Sequence, residues 1–262
     1  MAQAARAAVE LCERWAAKVI AELPCELFIF GSAIYKDGEQ FDHESSDLDL
    51  VVVFPEPTSA VGRVVFLEQL KGYKATLELE MIPVLSRTSC AEPGASIVAV
   101  TAFELGANIH KSAARQFFTK NVFYDLIKKT QIVGISAAGS RTLRDENRYA
   151  IEYVQKVRNS FLAVSANLAG GIKAYEGPDP LPKDLMRAAT QVIEVPEGEW
   201  YDTRHGLEAI FEDLKARRLE HSQMQELYDR VSVRRGGRGQ KCNLSAGDQL
   251  LLTELLFDKA VQ

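Results

Sequence analysis

Two short apolar segments, flanked by small and acidic residues, constrain this chain more than any other feature of its sequence. The run from Leu48 to Phe54 is rich in β-branched residues, which predicts a buried strand rather than a helix. Asp47 and Asp49 lie at its start. Because side chains alternate along a strand, both aspartates point to one face, roughly 6 to 7 Å apart. The sequence therefore predicts a pair of carboxylates at one end of a strand.

A second apolar run, from Leu27 to Phe30, ends in Gly31 and Ser32, where the chain must turn. Backbone N–H groups at such a turn can bind a phosphate, and a serine hydroxyl adds another donor. Mg²⁺ prefers carboxylate ligands, and two-metal phosphoryl transfer uses ions about 3.5 to 4 Å apart, which two such carboxylates can straddle. Together the two segments predict a metal site for nucleotide chemistry.

A third strand is predicted over Thr76–Val84, where apolar and acidic residues alternate. On a strand, Glu78 and Glu80 would share one face. One of them could complete the site, as a metal ligand or as the base that deprotonates an acceptor hydroxyl. The alternative is that both are solvent-facing residues of an ordinary half-buried strand.

These motifs, in this order, resemble the DNA polymerase β-type nucleotidyltransferase superfamily over roughly residues 25 to 85. The resemblance implies an α+β fold, in which a mixed sheet with flanking helices is joined to a helical C-terminal domain. It also implies an enzyme that uses two Mg²⁺ or Mn²⁺ ions. By this resemblance Gly31 and Ser32 would bind the nucleoside triphosphate, and Asp47 and Asp49 would be catalytic metal ligands.

Glu80 is the expected third catalytic and metal-binding carboxylate, in preference to Glu78. The segment from Glu80 to Val84 resembles the acidic-apolar-apolar-Pro segment of oligoadenylate-synthetase-like enzymes and bacterial cyclic-nucleotide synthases. Two departures from those families stand out. They usually carry Asp at this position, and the loop from Ala33 to Ser46 is slightly longer than their common spacing.

Composition limits the kinds of partner. The net charge of −5 argues against a protein that coats nucleic acid nonspecifically. Cysteines and histidines show no metal-ligand spacing, so neither zinc nor a disulfide framework is predicted. Charged residues interrupt the segment Ala2–Leu23, which predicts an amphipathic helix rather than a signal peptide. No stretch is apolar enough to span a membrane, so the expected compartment is the cytoplasm.

The second half of the sequence is predicted to be mostly helical. The expected domains are residues 1–105, a nucleotidyltransferase core with the N-terminal amphipathic helix, and residues 106–262, a helical domain that closes the nucleotide cleft. The resemblance suggests a triphosphate role for Lys183 and Arg187, the alternative being a solvated helix terminus. The basic, Gly-rich segment Arg230–Lys241 is either a mobile loop or a nucleic-acid contact.

Three functional hypotheses follow. In the first, the enzyme transfers NMP from an NTP, with ATP favoured, to a second nucleotide without a template, making a cyclic or linear oligonucleotide signal in antiviral defence. In the second, the acceptor is a small molecule, a protein or an RNA end. In the third, the chain is a non-catalytic nucleotide-binding regulator of a protein partner. The intact aspartate pair argues against the third hypothesis.

Overall fold

The computed structural model of the chain describes residues 1–56, 58–86, 93–136, 143–166, 171–174, 182–193, 206, 209–210 and 246–262. The chain divides into two compact units. The first unit comprises Met1–Thr142 and Arg158–Gly177, and the second comprises Leu143–Val157 and Pro178–Gln262. Within the described residues, no helix has both the length and the apolar character needed to cross a membrane.

A five-stranded mixed sheet forms the centre of the first unit, with strand order β3-β2-β1-β4-β5. The strands are β1 (Glu26–Phe30), β2 (Leu48–Val53), β3 (Ala95–Val100), β4 (Val122–Asp125) and β5 (Thr130–Val133). β1 is antiparallel to both β2 and β4, β4 is antiparallel to β5, and β2 is parallel to β3. This sheet and its flanking helices confirm the predicted α+β class.

Two long helices belong to the same unit: α1 (Gln3–Ile20) and α2 (Ala60–Val84). α1 buries Leu11, Trp15 and Val19 along one stripe, as the amphipathic pattern predicts. The indole N–H of Trp15 donates a 2.9 Å hydrogen bond to the carbonyl of Tyr73 on α2. This hydrogen bond therefore adds to the apolar packing between α1 and α2.

The prediction of a strand over Thr76–Val84 is wrong, because these residues form the last part of α2. Ser59 caps the start of α2 by accepting a hydrogen bond from the Gly62 N–H. Buried apolar residues then recur at helical spacing: Phe66, Leu67, Leu70, Leu77 and Met81. This periodicity over 25 residues outweighs the short alternation near Glu80, so β3 takes the place beside β2.

The sheet continues past residue 105, where the sequence predicts the core to end. Two short helices, α3 (Ala102–Gly106) and α4 (Phe117–Lys120), lead to the β4–β5 pair. After α5 (Asp145–Phe161), the strands β6 (Val164–Ala166) and β7 (Ile172–Ala174) form a small separate sheet. The second unit contains α6 (Pro182–Gln191) and α7 (Ala246–Ala260). Closure of a nucleotide cleft by residues 106–262 stays a prediction.

A buried ion pair holds the C-terminal end of α5 against β3. Arg158 and Glu104 are both fully buried, and the guanidinium Nη1 of Arg158 lies 2.8 Å from Oε2 of Glu104. The same nitrogen donates to the carbonyl of Ala99 on β3 at 3.1 Å. Because Glu104 also caps α3 through Thr101, the strand, the short helix and α5 share one polar network.

Candidate active site

The Gly31 turn and Asp49 are in direct contact at one end of the sheet. Asp49 is the second residue of β2 and pairs with Phe30, the last residue of β1. The next residue, Gly31, has a φ of +78° and begins a short 3₁₀ turn that includes Ser32. A Cβ at position 31 would lie 2.5 Å from Oδ2 of Asp49, so a larger residue would have to displace that carboxylate and adopt a positive φ that side chains disfavour. The fold thus brings the two predicted motifs together.

The two aspartates are close enough to interact electrostatically. Asp49 is half-buried, whereas Asp47, just before β2, is exposed. Burial, with the negative charge of Asp47 as the next contribution, raises the pKa of Asp49 to about 7, while Lys111 acts in the opposite direction. Two carboxylates in this situation repel each other, and a bound cation would relieve the repulsion.

Lys111 and Ser96 lie beside this pair, and neither residue is predicted from the sequence. Ser96 is the β3 residue in register with Asp49, so the two side chains share one face of the sheet. The Lys111 Nζ lies 3.5 Å from the Ser96 Oγ, as a donor to the hydroxyl. Burial lowers the pKa of Lys111, and the charges of Asp49 and Asp47 partly offset that effect. No motif marks these residues, because only the tertiary fold brings them together.

The segment that carries Lys111 is fixed by its neighbour His110. The imidazole of His110 stacks on Phe117, with ring centroids 3.8 Å apart and planes 14° from parallel. Its Nδ1 lies 2.7 Å from the Ser112 hydroxyl, and burial lowers the pKa of the imidazole to about 4, so the ring is neutral at neutral pH. Phe117 in turn packs edge-to-face on Phe30, beside the Gly31 turn. Lys111 is therefore next in the chain to a cluster of packed rings formed by His110, Phe117 and Phe30.

A cavity of about 300 Å³ is lined by the Gly31 turn and by residues at the ends of β1 and β4, which pair in the sheet. Its lining combines two aromatic rings, two carboxamides, a hydroxyl and smaller groups: Phe30, Tyr35, Gln40, Asn121, Ser32, Gly31 and Val122. None of these side chains is charged, so the cavity suits a neutral planar group that offers hydrogen-bonding edges.

A family model described as "Pol beta superfamily nucleotidyltransferase in conflict systems" matches residues 11–262. The chain belongs to this family. It is therefore a nucleotidyltransferase, as the sequence analysis predicted, and the family sets it in the context of conflict systems. No curated protein and no solved structure matches the chain significantly.

In this nucleotidyltransferase Glu80 lies away from the aspartate pair. It lies on α2, and its carboxylate forms a 2.6 Å ion pair with the Nζ of Lys18 on α1. Among the residues that the structure describes, no three Asp, Glu, His or Cys side chains gather as a possible metal group. The structure therefore does not assemble the expected triad of Asp47, Asp49 and Glu80, because the segment that carries Glu80 is helical.

Glu78 has a structural role in the transferase fold. Its side chain is buried and forms a 2.8 Å ion pair with Lys74, one helical turn earlier. The carboxylate also accepts hydrogen bonds from the backbone N–H groups of Gly94 and Ala95, at 2.8 and 2.9 Å. Glu78 thus ties α2 to the start of β3.

The basic residues expected on the triphosphate belong to the second unit. Lys183 lies in the first turn of α6. Arg187, on the same helix, is exposed and forms a 3.4 Å ion pair with Asp184. The segment Arg230–Lys241 lies outside the described residues. A nucleotide role for these three therefore stays a prediction.

A divalent ion fits the donor set at the end of β2. Asp47 and Asp49 offer carboxylate oxygens, and the Ser96 hydroxyl lies beside Asp49 in register. Oxygen ligands of this kind are those that Mg²⁺ and Mn²⁺ prefer. Burial and, after it, the negative charge of Asp47 raise the pKa of Asp49, and a cation would offset the repulsion between the two carboxylates.

Proposed function

We propose that this nucleotidyltransferase transfers a nucleoside monophosphate from an NTP, with ATP favoured, to a hydroxyl acceptor at the Asp47–Asp49 pair. The contact between Gly31 and Asp49 carries this proposal, since a glycine turn of the kind that can bind phosphate lies directly against one carboxylate of the pair. A phosphate on the turn would lie within reach of an ion bound by the aspartates.

Each residue of the site has a role in this reaction. The backbone at Gly31 and the Ser32 hydroxyl bind and orient the triphosphate. Asp47 and Asp49 hold Mg²⁺ or Mn²⁺, which when bound neutralises phosphate charge and promotes ionisation of the acceptor hydroxyl. The acceptor oxygen attacks the α-phosphorus in line, and the bond from that phosphorus to the bridging oxygen breaks. Pyrophosphate leaves with the electron pair, and the hydroxyl proton passes to solvent.

A second nucleotide is the favoured acceptor, which would make the product a cyclic or linear oligonucleotide. The cavity beside the turn supports this choice, because the rings of Phe30 and Tyr35 offer stacking surfaces. The carboxamides of Gln40 and Asn121 can pair with the hydrogen-bonding edge of a base. A nucleotide signal also agrees with the conflict-system context of the family.

The test is to incubate the purified chain with all four ribo- and deoxyribonucleoside triphosphates and Mg²⁺ or Mn²⁺. Mass spectrometry then identifies the products. Oligonucleotides support the proposal. A nucleotidylated protein, RNA end or small molecule added to the reaction would replace the proposed acceptor, and absence of all products would favour a non-catalytic regulator. The Asp49→Asn variant is the matched control for contaminating transferases.

A further inference from the structure

The aspartate pair has a lysine beside it where a third carboxylate would be expected. Two-metal phosphoryl transfer depends on oxygen ligands that together hold both ions. The β3 residue in register with Asp49 is Ser96, whose side chain carries no charge. The Lys111 ammonium lies against this hydroxyl and interacts with both carboxylates. The charge next to the pair is therefore positive rather than negative.

The position of Lys111 is set by the fold rather than by the aspartates alone. Its neighbour His110 is buried and stacked on Phe117, and the Ala113 N–H donates to the His110 carbonyl at 2.8 Å. A long, flexible side chain loses less freedom on binding when its backbone is already fixed. Lys111 is thus a cation that the fold holds in place before substrate arrives.

We propose that Lys111 supplies the second positive charge of the site, so that Asp47 and Asp49 bind one divalent ion instead of two. This inference rests on the proposed function and adds the number of ions and a role for Lys111. The ammonium, a compact point charge, stabilises negative charge on the phosphate from the Ser96 side of the pair. Lys111 thus acts directly on the charge of the phosphate.

The proposed role of Lys111 and a purely structural role predict different effects on divalent-ion binding. A fixed ammonium near the aspartates repels a second cation, so it weakens binding of the divalent ion while it assists transfer. Replacing Lys111 by the neutral Met should therefore change the two properties in opposite directions. A lysine that merely supported the fold would weaken both together.

The experiment titrates Mn²⁺ alone into the protein and counts free ions by electron paramagnetic resonance. Wild-type protein is expected to bind one Mn²⁺ per chain. Lys111→Met should bind it roughly tenfold more tightly, while its kcat falls on the order of a hundredfold. Lys111→Arg, which keeps the charge, should retain wild-type Mn²⁺ affinity. Lys120→Met, at an exposed lysine of α4, should change neither quantity.

Two bound ions in the wild type, or unchanged or weaker Mn²⁺ binding in a folded Lys111→Met variant, would overturn the role of Lys111 and leave the proposed function standing. Failure of the proposed function has a different signature, in which wild-type protein and Asp49→Asn bind Mn²⁺ equally or not at all. Circular dichroism of each variant establishes folding. The wild-type ion count tests the proposal even if Lys111→Met does not fold.

Discussion

Gly31 and Asp49 are packed so closely that a methyl group on residue 31 would overlap the Asp49 carboxylate, with 2.5 Å between Cβ and Oδ2. The Gly31 turn and the start of β2 therefore move together as a single structural unit. A displacement of one displaces the other, which links the shape of β1 to the chemistry of β2.

Gly31→Ala should inactivate the enzyme because the new methyl group displaces the Asp49 carboxylate. A misplacement of about 1 Å costs roughly a hundredfold in rate, and the positive φ adds about 1 kcal/mol or more of strain. Steady-state turnover and urea unfolding measure the two effects. Gly72→Ala is the matched control: it lies in α2 with nothing within 4 Å of a new Cβ. It should stabilise the protein slightly and leave turnover unchanged.

Asp49 should make the metal-free protein less stable as pH rises. Its pKa in the folded state is about 7, against an ordinary value of 3.8, so the folded protein binds the extra proton between about pH 4 and 7. Stability from this group is present at low pH and is lost as pH rises through that window. Asp49→Asn should abolish turnover yet raise the free energy of unfolding at pH 8 in chelator. Urea titrations at several pH values measure the free energy of unfolding. An Asp49→Asn variant less stable than the wild type at pH 8 would contradict the prediction.

Glu78→Gln and Glu80→Gln should affect different properties. Loss of the Glu78 charge leaves Lys74 buried without its ion-pair partner, which costs about 3 to 5 kcal/mol. The partly exposed Glu80–Lys18 pair contributes less than about 1 kcal/mol. Thermal unfolding should rank Glu78→Gln as the damaging change, and Glu80→Gln should retain turnover. A stable Glu80→Gln protein without activity would restore Glu80 as a catalytic candidate.

Arg158→Met should destabilise the protein by about 3 to 5 kcal/mol, since it removes the guanidinium charge that lies 2.8 Å from the fully buried Glu104 carboxylate. Adding Glu104→Gln should recover part of this loss, because the double variant no longer buries the carboxylate charge that Arg158 compensates. Chemical unfolding of the single and double variants gives the coupling energy. Additive losses would show that the two residues stabilise the fold independently.

Local sequence patterns predicted the parts of the site that depend on neighbouring residues. The strand β2, the apolar run before Gly31 and the aspartate pair follow from alternation, β-branched content and turn chemistry. The short alternation around Glu80 predicts a strand. The helical spacing that begins after Ser59 places this residue on α2 instead. A 25-residue helix is decided by its whole length, not by the alternation over Thr76–Val84.

The remaining features depend on contacts distant in sequence. The β4–β5 pair has strands of four residues each, and β5 is mostly exposed, so its hydrophobic pattern is weak. Ser96 and Lys111 are separated by 15 positions, and Ser96 comes next to Asp49 only because β3 pairs with β2. The cavity likewise joins residues from the Gly31 turn with Asn121 before β4. No local pattern predicts such neighbours.

The hydrogen bonds from Gly94 and Ala95 to Glu78 have a consequence for sequence change in this family. They fix the first residue of β3 from a helix, independently of the chain that leads into the strand. Insertions or deletions between α2 and Gly94 can therefore accumulate without sliding Ser96 away from Asp49. The alignment of β3 with β2 at the site is set by the buried Glu78 carboxylate on α2 rather than by the length of a loop.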